Sequence, residues 1–213
     1  MKTVITIGRK FGSSGREIGE KVAAYYGIPC YDKQLLTRAA KDSGFCEEMI
    51  KEHDERPNNS FLYNLVMDTY SFGYNSASFV DMPISHKVFL AQFNAIKKYA
   101  DEGPCVIVGR CADYALADYE NSIHLFIHGK KEKRIQKIQQ KYNLSESQAE
   151  DMVNKKDKQR QGYYNYYTSK KWGSVESYDA TIDSMIFGVE GTVHLITEIV
   201  DEFELRKDSE NVK

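Results

Sequence analysis

Val4-Ile5-Thr6-Ile7 runs directly into Gly8-Arg9-Lys10-Phe11-Gly12-Ser13-Ser14-Gly15 and then into Arg16-Glu17-Ile18-Gly19. A short β-branched run, a Gly/Ser turn and the start of a helical pattern make a strand–loop–helix unit. Glycines let such a loop fold tightly with its N–H groups facing inward. The helix that follows adds unpaired N–H groups and a positive dipole end, a combination suited to phosphate. Arg16 stands where a cation would face that anion. The loop departs from the pattern G-x-x-x-x-G-K-[ST]. With Gly15 as the last loop glycine, Lys10 takes the first-glycine position, Arg16 replaces Lys and Glu17 replaces the hydroxyl residue. Taken alone, the loop leaves two readings open: a phosphate cradle, or a Gly-rich turn with no ligand.

Outward from this unit, further apolar runs of strand type lie at Cys105–Val108, Ile123–Ile127 and Ala180–Asp183, with a weaker one at Ile28–Tyr31. Helical patterns separate them at Glu17–Tyr26, Lys33–Lys41, His86–Ala100, Lys131–Lys141 and Val189–Phe203. Strands alternating with helices predict an α/β fold with a parallel sheet, and continuous apolar strands predict a sheet covered on both faces. The loops after Ile7, Val108 and Ile127 then share the carboxyl edge, where such sheets bind ligands.

Two excursions interrupt the alternation. About 70 residues, Lys33 to Glu102, separate the second strand from the third and read as a helical insertion. It is broken at Arg56–Ser60 and by the Ser/Tyr/Phe-rich stretch Tyr70–Phe79, read as a loop. The second excursion starts with a capping box, Ser145 with Gln148, and runs through Lys155–Arg160 into the Tyr163–Tyr167 cluster. A cationic helix inserted before the last strand predicts a lid that closes over phosphates. The paired tyrosines cannot all share one helix face, so packing against the core is expected for them. The polar end, Arg206 to Lys213, reads as frayed.

Composition narrows the partners. Lys plus Arg total 29 against 31 Asp plus Glu, a net charge of −2 that points to neither nucleic acid nor a membrane surface. No stretch approaches the roughly 20 apolar residues of a membrane span, and no leader pattern precedes the first strand. The four cysteines lack CxxC spacing and the five histidines lack ligand spacing, so reduced thiols, no metal site built from either, and a cytoplasmic location are expected.

The segments ITIGRKFGSSGREIG, YDKQLLTRAA, CVIVGRCADYAL, DKQRQGYYNYY and YDATIDS together resemble the cytidylate kinase-like family, divergent relatives of the bacterial cytidylate kinases. The resemblance runs in order along nearly the whole chain. It implies a P-loop NTPase fold, a three-layer α/β/α arrangement around a parallel sheet of about five strands. Residues 1–213 would form one domain: a core of 1–32, 103–143 and 178–205, an acceptor-side insertion of about 33–102 and a lid of about 144–177.

The resemblance also implies roles. Gly12, Ser13, Ser14, Gly15, Arg16 and Glu17 lie over the ATP phosphate loop, with Ser13, Ser14 or Glu17 toward Mg2+. Asp32 and Arg38 keep the D-x5-R spacing of the helix that holds the acceptor. Arg110 follows a buried strand where cytidylate kinases carry D-G-R-D, although Val108 and Cys111 replace both acids. Asp157 and Arg160 match D-x-x-R of the lid, with Lys156 and Arg134 as further candidates. Arg16, Asp157 and Arg160 would be catalytic, and Asp32, Arg38 and Arg110 would bind the acceptor. The implied activity is ATP-dependent phosphoryl transfer to a small acceptor, with CMP or dCMP as the default. The alternatives are a nucleotide-sensing protein with little turnover and a kinase of another small metabolite.

Overall fold

The computed structural model describes residues 1–32, 34–46, 48, 52–55 and 82–210. The predicted loop segments Arg56–Ser60 and Tyr70–Phe79, and Lys33 at the start of a predicted helix, lie outside the described residues. Five strands form one parallel sheet: β1 (Val4–Arg9), β2 (Cys30–Tyr31), β3 (Val106–Val108), β4 (Ser122–His128) and β5 (Ala180–Asp183), in the order β2-β3-β1-β4-β5. The helices are α1 (Gly15–Tyr26), α2 (Gln34–Ser43), α3 (Ile84–Glu102), the short α4 (Ala112–Ala115), α5 (Lys131–Tyr142), α6 (Glu146–Thr168) and α7 (Ser184–Glu210).

The alternation of β-branched residues explains why the sheet is covered twice. Ile5, Ile7, Val106, Val108, Leu125 and Ile127 pack with Ile18 and Val22 of α1 and with Ile196 and Val200 of α7. Val4 and Ile107 face the other way, onto Leu35 of α2, Val88 and Ile96 of α3 and Leu116. Each such buried aliphatic side chain contributes about 1.5–3 kcal/mol. Both faces being apolar, the strands read as unbroken hydrophobic runs rather than as alternating ones.

β1 and α7 both end later than the sequence reading places them. β1 extends past the apolar run through Gly8 and Arg9, because its register with β4 continues as Gly8↔Phe126 and Arg9↔Ile127. Gly8 permits this: a Cβ there would stand 2.7 Å from the Phe126 ring and 3.0 Å from Tyr178. Arg9 thereby becomes the last residue of the central strand. At the other end of the chain, α7 continues to Glu210 rather than fraying from Arg206, and an Arg206–Glu202 pair spans one of its last turns. α7 bends at Gly188, whose φ of +68° is outside helical range.

α6 begins with the predicted capping box in full. Ser145 Oγ accepts from the Gln148 N–H at 3.3 Å, and Gln148 Oε1 accepts from the Ser145 N–H at 3.0 Å. Its first half seats Ala149 and Val153 on Ile135 and Ile138 of α5. Its second half buries Tyr163, Tyr164 and Tyr167 with Phe89, Phe126 and Tyr178. Among the described residues no helix is long and apolar enough to cross a membrane, and all four cysteines are free.

Candidate active site

The β1–α1 loop is held from behind by buried polar groups. Ser13 is 0% exposed. Its hydroxyl donates to Lys10 O at 2.8 Å and Ile127 O at 3.1 Å, while its own carbonyl accepts from Ser184 Oγ at 2.7 Å. The Ser13 hydroxyl is therefore committed to backbone carbonyls in the interior, which speaks against Ser13 among the three residues, Ser13, Ser14 and Glu17, expected toward Mg2+. Ser14 adopts a left-handed conformation (φ +61°) and hands the chain into α1. Gly15 starts that helix in a place where a Cβ would stand 2.6 Å from the Arg9 Cβ. The first N–H groups of α1 have no intrahelical partner.

Arg134 of α5 organises the loop's flank. It is 3% exposed and donates to Gly129 O at 2.9 Å, to Phe11 O at 2.7 Å and to Asp157 Oδ2 at 2.8 Å. Asp157, on α6, in turn accepts from the Phe11 N–H at 2.8 Å. One turn after Arg134 on the same helix, Lys137 donates to Ser14 Oγ and stands 4.0 Å from Glu17 Oε2. A cation thus reaches the loop from α5.

Beside the loop, at the carboxyl ends of β1, β2 and β3, arginines and carboxylates interlock. Arg9 Nη1 donates to Glu55 Oε1 at 3.0 Å, and Arg160 Nε donates to Glu55 Oε2 at 3.2 Å. Arg160 Nη1 also donates to the Arg9 carbonyl at 3.2 Å. Arg110 grips Asp54 with two nitrogens, Nη2 at 3.0 Å and Nε at 3.3 Å, and pairs with Asp32 through Nη1. Asp32 also lies 3.4 Å from Arg16 Nε and 4.0 Å from Arg9 Nη2. Arg16 itself is 52% exposed and shared with Glu20 at 2.9 Å.

Burial sets the protonation behaviour here. Desolvation, with the neighbouring Arg160 charge, pushes Arg9 down to about 10. Burial acts against ionisation of Glu55, but Arg9, Arg160 and Arg110 outweigh it and hold this carboxyl well below the usual range. Burial likewise opposes the Arg110 charge and is outweighed by Asp54, Glu55 and Asp32.

Arg9 reaches the cluster through a gap left by Gly109. A Cβ on Gly109 (φ +80°) would stand 1.8 Å from Arg9 Nη1. Behind the arginines a small polar cavity is lined by Asp113, Tyr163, Tyr164, Trp172 and Tyr178. Tyr164 donates to Asp113 Oδ2 at 2.6 Å. Burial raises Asp113 to about 6, partly offset by that hydrogen bond. Tyr163 donates to Gln92, whose amide donates to Asp54.

Asp32, Arg110, Arg160 and Arg16 are thus brought into one cluster, and Asp157 into the loop's support. Arg38 is not. Its side chain lies over the Tyr99 ring at 4.4 Å and pairs with Glu102 at 2.5 Å and Asp42 at 3.7 Å. Glu102 ends α3, just ahead of the start of β3, so Arg38 points toward the amino edge of the sheet. It therefore lies apart from Asp32 and Arg110, with which the expected acceptor role groups it. Sequence reasoning missed Arg9, Asp54, Glu55 and Lys137. For Arg9 the signal was available, because it follows an apolar strand as Arg110 does.

Among solved structures, an uncharacterized protein from Eubacterium ventriosum is 30% identical, with a TM-score of 0.70, covering 94% of this chain and 99% of that one. Shikimate kinase from Bacteroides thetaiotaomicron shares the fold at 10% identity and a TM-score of 0.54, with 94% and 99% covered. Shikimate kinase from Acinetobacter baumannii, solved with shikimate, does so at 10% identity and 0.50, with 95% and 94% covered. No curated protein matches the sequence. The profile of one family matches residues 4–186, spanning the loop, the arginine cluster and all five strands. With that match over most of its length, this chain belongs to the cytidylate kinase-like family.

Proposed function

We propose that this protein transfers a phosphoryl group from ATP, bound with Mg2+, to a small phosphorylated acceptor of the nucleoside monophosphate class, with CMP and dCMP as first candidates. One observation carries this reading. Four arginines, Arg9, Arg16, Arg110 and Arg160, converge beside the strand–loop–helix turn, sharing the carboxylates of Asp32, Asp54 and Glu55. Phosphoryl transfer asks the protein for positioning and for positive charge around the phosphoryl oxygens rather than for covalent chemistry.

The loop fits nucleotide phosphates on two counts. Ser14 is left-handed, and Gly15 lets the first turn of α1 pack closely on Arg9, so the loop passes directly into the helix N-terminus, whose first N–H groups have no intrahelical partner. Lys137 adds a cation at Ser14. Gly12 to Glu17 would hold the donor phosphates, with Ser13 contributing backbone alone. Among the described residues no cluster of three His, Cys, Asp or Glu groups forms a metal site. Mg2+ would therefore be held mainly by phosphate oxygens and water, as is usual for this ion. When bound, Mg·ATP supplies the γ-phosphoryl group. Asp157 keeps the loop and α6 in register, Arg160 spans the donor loop and the arginine cluster, and Arg110 with Asp32 faces the acceptor. In this reading α6 lies in a lid of about 144–177, and about 33–102 forms the acceptor-side insertion.

A second reading, a nucleotide sensor with little turnover, draws support from the internal pairing of the cluster arginines. ADP production by the purified protein with Mg·ATP against CMP, dCMP, UMP, AMP and GMP separates the two. Acceptor-dependent turnover that falls about 100-fold or more in Arg160→Ala is the expected result. ADP release that no acceptor stimulates would remove the kinase reading.

A further inference from the structure

The arginine cluster carries a second feature: besides Asp32 of the core, it is paired by two carboxylates from the segment between β2 and β3. Arg9, Arg110 and Arg160 come from the ends of β1 and β3 and from α6. Asp54 and Glu55 come from the inserted segment and point two adjacent carboxylates back into the cleft. Glu55 bridges Arg9 and Arg160 with one oxygen to each, at 3.0 and 3.2 Å. Asp54 takes the fork of Arg110 with both oxygens. Two oxygens to two guanidiniums, and a bidentate fork beside them, is the contact pattern that a phosphate dianion makes with arginines.

Glu55 holds a left-handed backbone conformation, φ +54°, unusual for a non-glycine residue. Tyr178, 8% exposed, lines the same cavity, its hydroxyl beside that of Tyr164, which donates to Asp113.

We propose that Arg9, Arg110 and Arg160 form one binding site for a phosphate or phosphate-monoester dianion, and that Glu55 and Asp54 are its resting occupants, displaced when the anion binds. Arg9 is thereby assigned to anion recognition, and the inserted segment acts as a competitor for the site. The physiological source of the anion, the acceptor, rests on the kinase reading above; the competition between carboxylate and phosphate does not.

Inorganic phosphate is the probe, and Trp172, the single tryptophan of the chain and part of the cavity wall, is the reporter. Glu55→Gln keeps the side-chain shape and removes the charge. Phosphate titrations followed by Trp172 fluorescence and by calorimetry are expected to show at least tenfold tighter binding in Glu55→Gln, and a smaller tightening in Asp54→Asn. Adding Arg9→Met to Glu55→Gln is expected to reverse the gain. Unchanged or weaker phosphate binding in a natively folded Glu55→Gln would overturn the proposal, leaving the carboxylates as props that orient the arginines. If Glu55→Gln unfolds on its own, millimolar phosphate is expected to restore its thermal transition and to raise that midpoint more than it does the unsubstituted protein's. Absence of such rescue counts against the proposal equally. Tightened phosphate binding without acceptor-dependent ADP production would sink only the kinase reading.

Discussion

Two regions meet at the carboxyl edge of this sheet, and they are held together by different means. The β1–α1 loop is fixed mainly by hydrogen bonds to backbone groups: Ser13 to Lys10 O and Ile127 O, Ser184 to Ser13 O, Arg134 to Gly129 O and Phe11 O, and Asp157 from the Phe11 N–H. The adjacent cluster is fixed almost wholly by side-chain charges, Arg9, Arg110 and Arg160 against Asp32, Asp54 and Glu55. A backbone-anchored loop presents one geometry whether or not a ligand is present. A cluster held by side-chain charges is one in which, on the proposal above, an incoming anion takes the place of the carboxylates. One region is preorganised, and the other is the one that the proposal makes exchangeable.

The largest expected effect breaks the first region. Arg134→Met removes a buried guanidinium and leaves the Gly129 and Phe11 carbonyls without its N–H groups and Asp157 without its cation. Removing one partner of a buried pair costs about 3–5 kcal/mol, which urea unfolding would register directly. A loss under 1 kcal/mol would mean that the loop does not depend on this wiring.

Asp113 tests the cavity behind the cluster. Its carboxyl is raised from 3.8 to about 6 by burial, so the folded protein binds its proton more tightly than the unfolded chain does. Its contribution to stability is full below about pH 4 and is lost as pH rises through about 6. The shift corresponds to about 2–3 kcal/mol. Asp113→Asn removes this dependence, so the variant's stability relative to the unsubstituted protein is expected to improve by that amount between pH 4 and 7.5. A constant difference across that range would show that Asp113 is not desolvated.

Gly109→Ala addresses the exchangeable region. The backbone conformation at φ +80° costs an alanine about 1–2 kcal/mol. The added methyl takes the space of Arg9 Nη1, and a flexible guanidinium can move aside. Modest destabilisation is therefore expected together with a disproportionate weakening of phosphate binding. Equal small effects on both would detach Arg9 from the anion site.

The contrast also explains what could be read in the sequence. The loop was legible because a β-branched run, a Gly/Ser turn and the onset of a helical pattern are local signals, and each strand carried its own apolar run. Arg110 stood out because a charge directly after a buried strand has no packing explanation. Arg9 met the same criterion but was masked by the loop reading, which took Gly8 and Arg9 as turn rather than as the strand's end. Asp54 and Glu55 had no local signal: their arginine partners lie 46 to 105 positions away in the chain, and nothing near them has a period that fixes where they point. Ser13 shows the opposite limit: motif spacing does not tell which way a hydroxyl turns, and here it turns to Lys10 O and Ile127 O.

Arg38 gives the smallest effect and the sharpest test of how far a family pattern carries. Its D-x5-R spacing from Asp32 suggested that both serve one anion, yet a helix that starts at the carboxyl edge runs away from it. Arg38 is a turn down α2, in a partly exposed pocket with Glu102, Asp42 and the Tyr99 ring. A pair of this kind is worth about 0–1 kcal/mol. Arg38→Ala is accordingly expected to cost no more than that in urea unfolding and to leave phosphate affinity within about twofold, since 1.4 kcal/mol would be needed for a factor of ten. A tenfold loss of phosphate affinity would mean that Arg38 leaves Glu102 to join the cluster when an anion arrives. The exchangeable region would then extend down α2, and the boundary between the two regions would have to be redrawn.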